Sequence, residues 1–139
     1  IWSTVVEGDL LSLRRLIAIK GFDVRKHRDD KGGSTILHYA SLFGHFDIVN
    51  WILSSCRRMY GREAVERIVN TKGTAQHKST PLIEACRSSV GPMEDRVKIV
   101  HILINTLIII QLYSPNRCWK KKIWLVHNLY LYQFILTVN

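Results

Sequence analysis

Residues 29–53 read DDKGGSTILHYASLFGHFDIVNWIL, and this stretch decides the fold of the chain. Its pattern predicts a turn, a short helix that begins at Thr35, a break at Gly44, and a second helix that ends near Leu53. The hydroxyl of Thr35 can cap a free N–H group, and Gly44 can end the first helix in a left-handed conformation. Two such helices cannot bury their apolar faces alone, so the hairpin is expected to stack on similar units.

The spacing of small and apolar residues supports a packed hairpin. Leu37 and Ala40 lie three positions apart and share one face of the first helix, where alanine lets a second helix approach closely. The second helix carries an apolar stripe formed by Ile48, Val49, Ile52 and Leu53. Both helices are therefore predicted to be amphipathic members of an all-α domain.

Residues 35–40, TILHYA, resemble the T-P-L-H-x-A pattern of the ankyrin repeat family. Ile36 stands where the family prefers proline, and isoleucine can also occupy that first helical turn. The resemblance implies that the imidazole of His38 ties neighbouring turns together. It assigns structural motif roles to Thr35, Leu37, His38, Ala40 and Gly44.

Two further copies of the hairpin flank the first. Upstream, Gly8 lies 36 positions before Gly44, close to the ankyrin period of about 33 residues. Downstream, residues 80–86 read TPLIEAC, which restores the proline, and they begin 45 positions after Thr35. The third copy is therefore expected to contain more loop residues than an ordinary repeat. The resemblance gives the same structural roles to Thr80, Pro81, Leu82 and Ala85.

The predicted architecture is an all-α, ankyrin-type helical-hairpin solenoid of about three repeats with an atypical C-terminal tail. The repeat domain is expected over residues 1–105, in units of about 1–29, 30–69 and 70–105. An insertion near residues 57–69 has helical spacing and is expected to form a short extra helix. The chain begins at Ile1, without an initiator methionine or a secretory signal, which favours a fragment of a longer protein.

Residues 106–139 lose the repeat pattern and form an apolar and basic tail. Neither of its apolar runs reaches the length of about 18 residues expected of a membrane-spanning helix. One hypothesis is a cap over the end of the stack, and another is a non-native extension of the sequence. A third hypothesis, ranked behind these two, is a membrane-surface segment in which residues 120–122, KKK, meet anionic headgroups.

The formal net charge of +9 indicates which partners the chain could attract. Residues 1–105 hold 16 Lys or Arg and 11 Asp or Glu, and the tail adds four basic residues and no acidic one. This excess fits an acidic protein partner, but a set of solvated loops is the favoured interpretation. Nucleic acid is disfavoured, because no nucleic-acid-binding motif accompanies the charge.

The sequence lacks the arrangements that catalysis requires. Cys56, Cys86 and Cys118 form no CxxC motif and no Cys/His cluster, so no metal site, disulfide framework or cofactor is predicted. Reduced thiols favour an intracellular, cytoplasmic protein, and Cys86 is expected to be a buried hydrophobe. No catalytic triad or phosphate-binding loop can be assembled, so the chain is predicted not to be an enzyme.

The ankyrin resemblance implies a protein–protein interaction module in an intracellular scaffold or adaptor. Family contacts fall on the turns and on the exposed surface of the first helix of each unit. Carried over by position, the partner-binding residues are Lys31, Ser34, Tyr39, Leu42 and Phe43 in the middle unit, and Gln76, His77, Glu84 and Arg87 in the third. The alternative function is a membrane-associated protein whose repeats face the cytosol and whose tail contacts lipid.

Overall fold

Six helices make up the part of the chain that the computed structural model describes, namely residues 1–30, 33–73 and 78–113. No strand occurs in these residues. The predicted all-α repeat architecture is therefore confirmed. In chain order the helices are α1 (Trp2–Glu7), α2 (Leu10–Lys20), α3 (Ile36–Leu42), α4 (Phe46–Asn70), α5 (Pro81–Arg87) and α6 (Met93–Leu112).

Short inner helices alternate with longer outer helices along the chain. The inner helix α3 contacts its own outer helix α4 and the inner helices α1 and α5 on either side. The core runs along this stack as a strip because each inner helix buries small or apolar side chains against its neighbours. Its fully buried members include Val5, Leu13, Ile36, Leu37, Ala40, Ile48, Val49, Ile52, Ile99 and Leu103.

Side-chain caps fix where the helices begin. Thr35 is the N-cap of α3 and forms a capping box with His38. Thr80 is the N-cap of α5, where its hydroxyl accepts a hydrogen bond from the Ile83 N–H at 3.4 Å and Pro81 fills the first helical turn. Both helix starts that the repeat pattern predicts are confirmed.

Gly44 ends the first helix of the middle repeat in the predicted left-handed conformation, with φ of 74°. The His45 N–H donates to the Ala40 carbonyl at 3.0 Å, the long hydrogen bond of a Schellman motif. A Cβ atom at position 44 would lie 2.8 Å from the Val90 carbonyl oxygen. Gly44 therefore reverses the chain and also leaves room for the loop that follows α5.

The outer helix of the middle repeat is longer than an ordinary repeat needs. Gly61, with φ of 77° and ψ of −174°, interrupts α4, and residues 62–70 continue as helix. This second part buries Ala64, Val65, Ile68 and Val69. The Arg25 guanidinium lies 3.6 Å from the centroid of the Tyr60 ring, so the end of the first part of α4 contacts the chain that follows α2.

Cys86 is exposed, so the expectation that it is buried is wrong. Its counterpart in the middle repeat, 45 positions earlier, is Ser41, which is 0% exposed. Ser41 is buried because α3 has an inner helix on either side. The described residues supply no further inner helix beyond α5, and Cys86 consequently faces solvent.

The final helix crosses the expected end of the repeats at residue 105, since α6 runs from Met93 to Leu112. The chain divides into two compact units, Ile1–Ile104 and Asn105–Asn139, and the structure describes residues 105–113 of the second. The hypotheses of a cap, a non-native extension and a membrane-surface segment depend on residues 114–139, which lie outside the described part. Among the described residues, no helix combines the length and apolar character needed to cross a bilayer.

Ser88 ties the loop between α5 and α6 to the middle repeat. Its hydroxyl donates to the Leu42 carbonyl at 2.5 Å, and its own carbonyl accepts from the Arg96 Nη1 at 2.6 Å. The extra loop of the third repeat thus packs against the end of α3.

We expect Ser88→Ala to lower the free energy of unfolding by about 1–2 kcal/mol, because the Leu42 carbonyl loses a donor in a part-buried position. Urea denaturation followed by circular dichroism measures this loss. Ser89→Ala is the matched control, since Ser89 is the exposed next residue of the same loop. Equal stability of the two variants would show that the Ser88 hydroxyl contributes nothing.

Candidate functional site

Asp29 organises the turn that precedes α3. Its backbone N–H donates to the Ser34 carbonyl at 2.9 Å, and its carboxylate accepts from the Ser34 N–H at 2.6 Å. The same carboxylate accepts from the Tyr39 hydroxyl at 2.7 Å. Hydrogen bonds between an aspartate carboxylate and nearby backbone N–H groups stabilise a turn. Asp29 therefore joins Ser34 and Tyr39 to the chain that precedes α3.

Arg28 and His38 connect the turns of successive repeats. The Arg28 Nη1 donates to the Gly33 carbonyl at 2.8 Å and to the Lys72 carbonyl at 3.3 Å, although Lys72 is 44 positions away. The His38 Nε2 lies 3.1 Å from the Ser79 carbonyl oxygen. Two side chains thus link the middle repeat to residues 72 and 79, which precede α5.

His38 is held as a neutral imidazole. The Ser79 carbonyl can only accept, so Nε2 carries the proton, and Nδ1 accepts from the Thr35 N–H at 3.2 Å. Burial lowers the pKa of His38 below its ordinary value of 6.5, since a charged ring would lose solvation in this 2% exposed position. The tie between turns that the resemblance implied is therefore present, and the hydrogen bond that Nδ1 accepts from the Thr35 N–H requires the uncharged ring.

An aromatic strip, defined by Trp2, Phe22, Tyr39 and Phe43, joins the first two repeats. The Tyr39 ring lies 5.3 Å from the Trp2 ring and 6.3 Å from the Phe43 ring, centroid to centroid, and Trp2 meets Phe22 at 6.1 Å. All four rings are half-buried. The strip therefore packs internally while it keeps part of its apolar surface open to solvent.

The third repeat presents charged side chains where the middle repeat presents Tyr39 and Leu42. Glu84 is the counterpart of Tyr39, and its carboxylate accepts a hydrogen bond from the Ser79 hydroxyl. Arg87 is the counterpart of Leu42, and its Nη1 lies 3.9 Å from the Glu84 carboxylate. The Arg87 side chain is 53% exposed, so this ion pair contributes little stability and leaves the guanidinium accessible.

The structure places the described members of the predicted partner-binding set on two adjacent inner helices and in the chain before α3. Ser34 precedes α3, Tyr39 and Leu42 lie on α3 with Phe43 at its end, and Glu84 and Arg87 lie on α5. Leu42 is half-buried, and its backbone carbonyl is occupied by Ser88. The described members of the predicted set are Ser34, Tyr39, Leu42, Phe43, Glu84 and Arg87, whereas Lys31, Gln76 and His77 lie outside the described residues.

Sequence reasoning missed Trp2, Phe22 and Arg28 as parts of this surface. Trp2 had one available signal, because it begins α1 and so occupies the inner-helix position of the first repeat. Arg28 had none, since its bond to the Lys72 carbonyl depends on the distance between two turns that are far apart in the sequence.

The described residues contain no group of three or more His, Cys, Asp or Glu side chains that could hold a metal ion. The cysteines in this part of the chain, Cys56 and Cys86, are free thiols. Cys56 is buried, which raises the pKa of its thiol to about 11. Its thiolate is therefore scarce at neutral pH.

A family model for ankyrin repeats, in three copies, matches residues 4–113. The match covers well over half of the chain and includes the surface described above except Trp2. The chain therefore belongs to the ankyrin repeat family. Members of this family are generally protein–protein interaction modules and are typically non-catalytic. No curated protein and no solved structure matches the chain.

Proposed function

We propose that this chain is the non-catalytic interaction module of an intracellular scaffold or adaptor, and that it binds a protein partner through its turns and inner-helix surface. The observation that carries the proposal is the pair of half-buried rings of Tyr39 and Phe43, stacked 6.3 Å apart with 10° between their planes. A cytoplasmic location fits the free thiols of Cys56 and Cys86.

The order of this surface before binding supports a recognition role. Rings fixed by their neighbours lose little side-chain entropy when a partner covers them, so more of the contact energy appears as affinity. Large aromatic side chains also supply most of the energy at protein interfaces. Glu84 and Arg87 lie on the next inner helix, which places a polar border beside an apolar centre.

Tyr39 is a poor choice for testing binding alone. Its hydroxyl bonds to Asp29 and its ring packs on Trp2, and burial together with the Asp29 hydrogen bond raises the pKa of Tyr39 to about 12. Tyr39→Ala is therefore expected to loosen the turn as well as the surface. The Arg87 side chain has no such contact with another described residue beyond its 3.9 Å ion pair with Glu84, in which the arginine side chain is 53% exposed.

We expect Arg87→Ala to weaken partner binding about threefold while the melting temperature stays unchanged, because a solvent-accessible arginine at an interface border contributes modestly to recognition and little to folding. The measurement is calorimetric titration with a partner recovered by affinity capture and then purified.

The matched control is Arg67→Ala, which removes the same charge from α4, where the side chain is 80% exposed. This control should bind as the unmodified chain does. Equal losses in the two variants would indicate a general charge effect, and unchanged binding by Arg87→Ala would remove Arg87 from the proposed surface.

A further inference from the structure

Two acidic side chains near the turns make internal contacts, while several basic side chains of the turns are exposed. Asp23 pairs with Arg25 at 2.7 Å, and this arginine lowers the pKa of the Asp23 carboxyl. Asp29 closes its own turn and holds Tyr39. Of the acidic side chains in these turns, Asp30 is exposed. Among the described residues of the turns, the exposed cations are Lys26, Arg28, Lys72 and Lys78, which we name the basic turn surface.

Lys78 adopts a backbone conformation that lysine ordinarily avoids. Its φ is 43°, in the left-handed region, and it is the one residue other than glycine with positive φ among the described residues. The counterpart in the middle repeat is Gly33, with φ of 60°, and each residue lies two positions before the N-cap threonine of its inner helix. A side chain in this region is strained, so glycine would be the relaxed choice at both positions.

Neighbouring hydrogen bonds hold Lys78 in this conformation. The carbonyl of the next residue, Ser79, accepts from the Gly73 N–H at 3.0 Å and lies 3.1 Å from the His38 Nε2. The Lys78 side chain is exposed and makes no ion pair with a described residue. Hydrogen bonds thus hold the neighbouring backbone, while the Lys78 side chain is exposed to solvent.

We infer that the basic turn surface binds an acidic segment of the partner protein, and that Lys78 is one of its contact residues. This inference rests on the proposed function and specifies the partner's chemistry. Complementary charge would raise the association rate and orient the segment along the turns. Nucleic acid fits less well, because the basic turn surface offers no aromatic side chain for a base, and the nearby His27 ring is already stacked 4.2 Å from Phe22.

The test is a selection of random peptides of about 12 residues, long enough when extended to cross two turns, displayed on phage against the full chain. An enriched peptide is then synthesised and titrated by fluorescence anisotropy. We expect enrichment in Asp and Glu. Lys78→Gly should weaken binding about threefold to tenfold, while the melting temperature stays the same or rises by about 2–4 °C as the strain is relieved. Lys78→Arg should keep the affinity, since it keeps the charge.

Lys20→Gln is the control, because it removes an exposed positive charge from the end of α2, outside the turns, and should leave binding unchanged. Enriched peptides without acidic residues, or equal effects of the two substitutions, would overturn the acidic-partner inference and leave the proposed function standing. Failure to select any peptide above background would count against both. An oligonucleotide that binds more tightly than the peptide, with the same dependence on Lys78, would replace the acidic segment by nucleic acid.

Discussion

Gly44→Val is expected to lower the free energy of unfolding by about 3 kcal/mol. Two costs combine at this position. A valine would have to adopt φ of 74°, which a β-branched side chain strongly resists. Its Cβ would also lie 2.8 Å from the Val90 carbonyl oxygen, a backbone atom that cannot rotate away. Urea denaturation followed by far-ultraviolet circular dichroism measures the loss.

A pair of alanine variants separates these two costs. Gly21 is also left-handed, with φ of 60°, but a Cβ there would meet nothing within 4 Å. Gly21→Ala should therefore lower the free energy of unfolding only through the unfavourable backbone conformation, by about 1 kcal/mol. Gly44→Ala should lose clearly more, because it adds the contact with Val90. Equal losses in the two variants would show that the loop after α5 does not pack on Gly44.

His38→Ala is expected to cost about 2–4 kcal/mol, since it leaves the Thr35 N–H without its buried acceptor, removes the bond to the Ser79 carbonyl and opens a cavity. The same bonds predict a pH dependence in the unmodified chain. Protonation would place a hydrogen on Nδ1, which then could no longer accept from the Thr35 N–H at 3.2 Å. The cost of charging the ring is therefore both desolvation and a lost cap.

The direction of the pH effect follows from the lowered pKa of His38. Its folded-state pKa lies below the ordinary value of 6.5, so the unfolded chain binds the proton more readily. The stabilising contribution of His38 is complete above pH 6.5 and decreases as the pH falls below that value toward the folded-state pKa. We expect the free energy of unfolding to decrease correspondingly on acidification.

The measurement is a series of urea titrations from pH about 7.5 down to about 5.5, above the range in which most carboxylates titrate. Glutamine at this third helical position can still take part in a capping box, so His38→Gln should fold and should lose most of the pH dependence. His101→Gln, at an exposed position on α6, should retain it. A His38→Gln chain with the unmodified pH dependence would exclude His38 as its source.

The helix starts, the glycine helix end and the apolar stripe of the repeats could be predicted from short stretches of sequence. Thr35 and Thr80 could be assigned to helix starts because a hydroxyl cap acts within one turn of its own residue. Gly44 could be assigned to a left-handed position for a similar reason, since backbone sterics depend on the residue itself. The apolar stripe of α4 followed from helical period alone.

Cys86 shows where the same reasoning fails. The repeat pattern treats it as equivalent to Ser41, yet Ser41 is buried and Cys86 is exposed. Burial depends on whether another helix lies alongside, and that information is not contained in the residue or in its immediate neighbours. The hydrogen bond of Tyr39 could not be predicted either, because its hydroxyl donates to Asp29, which lies ten positions earlier in the chain.

The sequence by itself determined the repeating helical hairpin and the family to which the chain belongs, because caps, left-handed glycines and apolar spacing act over a few residues. Only the tertiary structure decided which polar groups remain available for a partner. The Arg28 guanidinium donates to the Lys72 carbonyl, and the Asp29 carboxylate accepts from the Ser34 N–H. Lys78 is exposed and has a positive φ, which is strained for lysine. The physical reason is that hydrogen bonds between successive repeats join residues about 40 positions apart, and their formation depends on how the repeats stack.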